Sequence, residues 1–194
     1  GGIPGFETHK GCSSSGPYCI EAGSSVRFQA PADVACELHR LIEAGHDHFH
    51  LCDSEFNEDL DHCLSVLKAI DRERLHFRWA LYMRPGTYNR QLFRLLKKTG
   101  AYLITLSVDT LNECPEYWEA VEKMVNNSRA VGIRVAVDFL AGFPYESEDT
   151  LREALKFFIR TEPAEVVINT YIRIYSSTKM GDTIERDPSL KQYL

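Results

Sequence analysis

The stretch HKGCSSSGPYCIE, residues 9–21, places Cys12 and Cys19 on either side of three serines, Gly16, Pro17 and Tyr18. Two thiols this close support three different chemistries. Thiolates ligate soft metals and iron–sulfur clusters. A short intervening loop can close as a disulfide. The same loop can also be an ordinary turn whose thiols do nothing. The chain has six cysteines in 194 residues at irregular spacings, unlike the dense framework of a small secreted domain. No secretory signal is visible. A cytoplasmic, reducing location is therefore expected, and there neighbouring thiols read as ligands or redox groups.

The elements that must hold this loop follow a regular pattern. Short apolar runs, IPGFET, HFHLC, LHFRWALYM, YLITLSV, IRVAVDFLAG and AEVVINTYIRIY, read as six strands. Between them lie amphipathic segments with helix signals. Pro31 and Pro115 suit first turns, and Asn57, Thr87 and Ser147 are read as N-caps. Gly45, Gly100 and Gly132 stop helices in the left-handed conformation. Strict alternation of strand and helix implies a parallel sheet with right-handed crossovers. An eight-unit barrel takes roughly 250 residues, so six units take roughly 190. The fold class is α/β, a partial (β/α)6 TIM-like barrel, with a doubly wound sheet as the alternative. No linker divides residues 1–194, which form one domain, its last unit lacking a full helix. The chain opens on Gly1-Gly2 without an initiator Met, as a processed product or a piece of a longer protein would.

Either architecture collects its site at the C-terminal ends of the strands. Those ends carry the cysteine loop; Cys52, Asp53, Ser54 and Glu55; Arg84; Ser107 and Asp109; Gly142 to Glu146; and Asn169, Arg173 and Tyr175. Thiols, carboxylates and guanidinium groups converge on one mouth, the outline of a small polar ligand site.

Together these stretches resemble the radical S-adenosylmethionine superfamily. That family carries C-x3-C-x-aromatic-C in the loop after the first strand of a (β/α)6 partial barrel. FETHKGC followed by a loop with Tyr18 just before Cys19 is similar to it. HFHLCDSEFN resembles the family's second strand end, and LAGFPYESEDTLREAL the turn and helix after its fifth strand. YIRIYSSTKM resembles a segment of members with an N-terminal cobalamin-binding domain. The resemblance implies a [4Fe-4S] cluster held by Cys12 and Cys19, and cleavage of S-adenosylmethionine to a 5'-deoxyadenosyl radical. Cys52 is the candidate substitute ligand, because Gly16 stands where the middle cysteine belongs. It further implies Tyr18 beside cluster and adenine, and Cys52 to Glu55, with Asp53 and Ser54, near the methionine amine. Ser107 and Asp109 would face ribose or methionine, Arg84 or Arg173 a carboxylate, and Gly142 to Pro144 the adenine. Cobalamin would come from an adjacent N-terminal domain outside this chain. The reaction could be methyl transfer, oxidation or rearrangement of a small-molecule or peptide substrate. The alternative is a barrel without a cluster that binds a nucleoside or peptide, or serves as a partner subunit.

Plainer readings stand beside these. Cys36 and Cys63 fall within helices and read as packing thiols; Cys114 precedes a helix-opening proline. His46, His48 and His50 alternate along one face, with His62 nearby, and read as surface groups ahead of a zinc site for a hydrolase. Asp53 and Glu55 could cap the second helix, and Arg84 could belong to a surface ion pair. Arg173, inside an apolar run, reads as a carboxylate binder. Asp138, in mid-strand, reads as paired or as facing the barrel interior. The net charge of −6 argues against broad binding to nucleic acid or anionic membrane. No apolar run approaches the ~20 residues of a membrane span.

Overall fold

A computed structural model describes residues 2–193. The elements run β1 (Gly5–Phe6), β2 (His9–Lys10), β3 (Arg27–Phe28), α1 (Pro31–Glu43), β4 (His48–Leu51), α2 (Leu60–Arg72), β5 (Arg78–Met83) and α3 (Arg90–Lys98). They continue through β6 (Ala101–Asp109), α4 (Pro115–Ala130), β7 (Arg134–Leu140), α5 (Glu148–Thr161), β8 (Glu165–Asn169) and α6 (Lys179–Arg186). Short 3-10 turns cover Phe56–Glu58 and Pro188–Tyr193.

Six strands pair in the order β1-β4-β5-β6-β7-β8, and every pairing is parallel. That order decides between the two architectures. A doubly wound sheet reverses its strand order at a switch point; here each strand lies beside its predecessor. The sheet is singly wound and forms a partial TIM-like barrel, with the helices following in sequence as α1 on α2, α2 on α3 and α3 on α4.

Alternation along the strands produces the two faces. Phe49, Leu51, Trp79, Leu81, Met83, Ile104, Leu106, Val108, Val135, Val137 and Phe139 are buried in the main core beneath the helices. Residues of the other parity, including His50, Tyr82, Thr105 and Asp138, stay half-buried on the opposite face. The two-residue β1 is held by Phe6, whose ring meets Phe49 and Trp79 edge-on at 6.2 and 5.7 Å.

Several boundaries differ from the sequence expectations, each for a physical reason. The cap of α2 is Asp59, which accepts from His62 N at 2.7 Å. Asn57 is buried in the preceding turn, where its amide reaches Arg84 O and Thr87 O at 2.8 Å and accepts from Arg84 N at 2.8 Å. The cap of α3 is Asn89 rather than Thr87. The last strand ends at Asn169 instead of Tyr175. Among the described residues its only neighbour, β7, turns away after Ala141 N bonds Asn169 O, and Gly142 adopts φ +95°. Residues 170–175 therefore have no ladder to join. The sixth unit does carry a helix, α6, capped by Thr178. Pro31, Pro115 and Ser147 open their helices as expected, and Gly45, Gly100 and Gly132 have φ of +92°, +91° and +73°. The antiparallel pairing of β2 with β3 was not expected. Among the described residues no helix is long and apolar enough to cross a membrane.

The two asparagine and aspartate roles separate energetically. Asn57→Ala strands three part-buried backbone groups and should cost about 3 kcal/mol, whereas Asp59→Ala removes one exposed cap and should cost about 1 kcal/mol. Urea unfolding midpoints of the two variants check this; the reverse order would restore Asn57 as the cap.

Candidate functional site

The β2–β3 pairing brackets the cysteine loop. Within it, Cys12 N donates to Ser24 Oγ at 2.9 Å, and Cys12 Sγ to Ser14 Oγ at 3.2 Å. Cys12 is only 4% exposed. Gly11 has φ +88° and lies against the Ser25 carbonyl, so a side chain has no place there. A tight turn follows, with Cys19 N donating to Gly16 O at 3.3 Å. The far side of the loop is tied to α6 by Met180 N donating to Pro17 O at 2.9 Å.

Gly16 is under no such constraint. It lacks a positive φ, and a Cβ there would meet only Cys19 Cβ, at 3.7 Å. Cys19 is half-buried and lines a 370 Å³ cavity with Ser13–Pro17 and Lys179. The side chains that converge on Cys12 are carboxylates. Donor atoms of Cys12, Glu55 and Glu58 lie within 4.8 Å of one another. Cys52 is not in that group. It is exposed, with its sulfur packed over Gly5, and burial followed by Glu7 and Asp53 pushes its thiol up. The loop thus offers two thiols, Cys12 with two carboxylates beside it and Cys19 outside that group, and nothing from position 16. Iron accepts both donor types, so Cys12 with Glu55 and Glu58 could ligate iron, with Cys19 the second thiol of the same loop.

Beside the loop lies a 430 Å³ cavity. It gathers Tyr18, Glu55, Arg84, Ser107 and Asp109, five of the expected site residues, from the loop and three strand ends. Tyr18 Oη donates to Asp109 Oδ2 at 2.8 Å, and Leu111 N donates to Asp109 Oδ1 at 3.0 Å. Burial, then the Asp109 charge, pushes the Tyr18 phenol above its usual range. Arg84 pairs with both Glu55, at 2.8 Å, and Glu58. Glu58 Oε1 also accepts from Ser13 N at 3.1 Å, so this ion pair touches the cysteine loop. The Arg84 Nε and Glu55 Oε2 atoms are buried without an aligned hydrogen bond. Burial raises the Glu55 carboxyl above its ordinary value despite Arg84, and Glu58 adds to the rise. Tyr117, which lines the same cavity, places its hydroxyl 3.4 Å from Ser107 O.

The other expected residues lie around this centre. Gly142 and Pro144 belong to the turn after β7. Glu146 secures that turn by accepting from Gly142 N at 2.6 Å and from Thr110 Oγ1. Phe143 of the turn lies 5.1 Å from the Tyr18 ring. Ser54 is exposed. Arg173 is exposed outside any strand, donating to Tyr175 Oη at 3.4 Å. Asp53 is buried and accepts from Thr8 and His9, so neither it nor Glu55 caps α2. Of the two helix thiols expected to pack, Cys63 is buried in the core and pushed up to about 12 by burial, whereas Cys36 is exposed. Asp138 is half-buried and accepts from Asn169. Among the described residues no histidine joins a three-ligand metal group; His48 pairs with Asp47 at 2.9 Å. Sequence reasoning missed Thr8, His9, Glu58 and Tyr117. The motif FETHKGC contained the first two; Glu58 and Tyr117 had no local signal.

Comparison with known proteins gives a consistent family. The family model described as the Radical SAM superfamily matches residues 6–158. Cytidylyl-2-hydroxyethylphosphonate methyltransferase of Streptomyces wedmorensis is 26% identical over 151 residues, 71% of this chain and 28% of its own. An uncharacterized methyltransferase of Pyrococcus horikoshii is 22% identical over 163 residues, 77% of this chain and 35% of its own. The radical S-adenosylmethionine methyltransferase TsrM of Kitasatospora setae, solved with tryptophan substrate and aza-SAM, superposes with a TM-score of 0.88 at 25% identity. That match covers 95% of this chain and 38% of TsrM. Another TsrM structure, with cobalamin and a [4Fe-4S] cluster bound, gives 0.87 at 24% identity. The chain spans between about a quarter and two fifths of these relatives' lengths.

The raised Glu55 carboxyl gives a pH test. Its folded pKa lies above its unfolded one, so folding disfavours the ionised form. The resulting penalty is absent below the unfolded pKa and grows as pH rises through the folded pKa. Glu55→Gln should raise the thermal midpoint at pH 7 and leave it unchanged at pH 3, as scanning calorimetry at both pH values will show. An unchanged or lowered midpoint at pH 7 would mean the Arg84 ion pair outweighs burial.

Proposed function

Because the chain belongs to the radical SAM superfamily, we propose that it is the core domain of a cobalamin-dependent methyltransferase that takes S-adenosylmethionine in the cavity beside the cysteine loop. The observation that carries this reading is the gathering of Tyr18, Glu55, Arg84, Ser107 and Asp109 around one cavity walled by residues 14–18 of that loop. Cobalamin would be held by a domain outside this chain. The relatives' names support methyl transfer to a small molecule over oxidation or rearrangement.

Cys12 and Cys19 would hold the iron–sulfur cluster, with Glu55 and Glu58 oxygens in reach of Cys12. When bound, the cluster would supply an open iron for the methionine end of the sulfonium ligand and an electron for its cleavage. The chain's own residues would do the rest. Glu55 supplies a carboxylate for the methionine amine, and Arg84 a planar fork for the methionine carboxylate. Arg84 presently pairs with both Glu55 and Glu58, so the ligand would replace the Arg84–Glu55 pair with two pairs of its own. Asp109 is oriented by Tyr18 Oη and Leu111 N, which fixes one acceptor toward ribose hydroxyls. Tyr18 offers the cavity's aromatic face for adenine, and buried Phe143, from the turn at Gly142, packs behind its ring. Ser54, Asp53 and Arg173 contribute no side chain to the lining of this cavity.

Gly16 favours a second reading, a barrel that keeps the nucleoside pocket without a cluster. One experiment separates the two. After anaerobic reconstitution with iron and sulfide, the first reading expects about four irons per chain and a reduced-state EPR signal that changes on adding S-adenosylmethionine. No cluster in the native chain, with one formed in Gly16→Cys, would establish the second reading. Iron bound by neither protein would remove the assignment of Cys12 and Cys19 as cluster ligands.

A further inference from the structure

Asp53 is placed as an anchor. Its carboxylate accepts from Thr8 N at 2.7 Å, from Thr8 Oγ1, and from His9 N at 3.3 Å, and it pairs with His9 Nδ1 at 3.1 Å. The side chains of Asp53 and His9 are both fully buried. A carboxylate has about four acceptor sites, and Asp53 spends them on two residues of its own chain. It has nothing left to offer a bound ligand.

The position of those two residues gives the contact its meaning. Thr8 and His9 follow β1 directly, and His9 opens β2, which pairs with β3 to bracket the cysteine loop. Cys12 lies just beyond. Asp53 itself stands at the end of β4, two residues before Glu55. One buried carboxylate thus fixes the base of the cysteine loop against the strand end that delivers the cavity's own carboxylate. The His9 ring is packed by Phe28 at 5.6 Å, its Nε2 has no partner, and its Nδ1 faces Asp53 at 3.1 Å and Thr8 Oγ1 at 3.4 Å, so its polar orientation is set within this one cluster.

We propose that Asp53 is a positioning residue. Through Thr8 and His9 it holds the cysteine loop in a ligand-ready form, with the Cys12 thiol already buried before any metal arrives. The purpose of the anchor rests on the function proposed above; the anchor itself rests on the contacts.

The chain's cysteines supply the test. Alkylation of the metal-free protein under anaerobic conditions, resolved by peptide mass spectrometry, reads each thiol separately. Cys36, Cys52 and Cys114 are exposed; Cys12 and Cys63 are buried. Cys63 lies in α2 within the main core and reports global opening. In Asp53→Ala the rate at Cys12 should rise about tenfold with Cys63 unchanged, the mark of local release. Asp53→Asn, which keeps one acceptor and the shape, should fall between. An unchanged Cys12 rate, or equal rises at Cys12 and Cys63, would overturn the proposal. If Asp53→Ala does not fold, Thr8→Val carries the same comparison with a smaller rise at Cys12. Iron uptake measured alongside addresses the function: a wild-type chain that takes up no iron sinks the cluster reading, and the labelling still decides the anchor.

Discussion

A buried polar side chain has to find partners within the protein, and at the mouth of this barrel that requirement holds the strand ends together. Asp53 ties the segment after β1 to the end of β4. Asn57 ties the turn after β4 to the end of β5. Glu146 ties the turn after β7 to Thr110 after β6, and Asn169 ties β8 to Asp138 of β7. Tyr18 joins the cysteine loop to Asp109 at the end of β6. The body of the sheet is held differently, by apolar residues packed under the helices. Apolar burial is non-directional and fixes the layers; hydrogen bonds are directional and fix where functional groups point.

This division explains why the cavity forms at the mouth. The singly wound order leaves all C-terminal strand ends in one row, but a row alone positions nothing. The stitches bring Glu55, Arg84 and Asp109 within one 430 Å³ space. They also impose a cost, since burial of Glu55 opposes its ionisation. The Arg84 guanidinium offsets part of that cost and joins Glu55 to Glu58 and, through Ser13, to the loop. A ligand that replaced Arg84 as the partner of Glu55 would be felt at the cysteine loop through the same groups.

The elements were legible in the sequence because their signals are local. Alternation along β5, β6 and β7, proline at the first turns of α1 and α4, and glycine at three helix ends each act over a few residues. Caps were only partly legible. In NED and TYN the side chain nearest the apolar run won: Asp59 capped α2 and Asn89 capped α3. Asn57 was withdrawn from capping by partners 27 and 30 residues away. The stitches were illegible for the same reason. Asp53 finds Thr8 at a separation of 45 residues, and Tyr18 finds Asp109 at 91. Neither is coded in any window. The end of β8 depended on the neighbouring strand turning away at Gly142, which the apolar run AEVVINTYIRIY does not reveal.

The cysteine loop shows how far conformation and chemistry can be separated. Gly11 and Gly142 stand where the backbone has φ +88° and +95°, conformations that favour glycine. Gly16 stands where a Cβ fits, meeting only Cys19 at ordinary contact distance. The path of the loop is set without a side chain at position 16, by Gly11, Ser24, the β2–β3 pair, the turn from Cys19 N to Gly16 O and the bond from Met180 to Pro17. A side chain at position 16 would therefore alter what the loop can ligate and leave its course unchanged. The fold around it is that of the radical SAM superfamily, and it constrains position 11 of the loop far more than position 16.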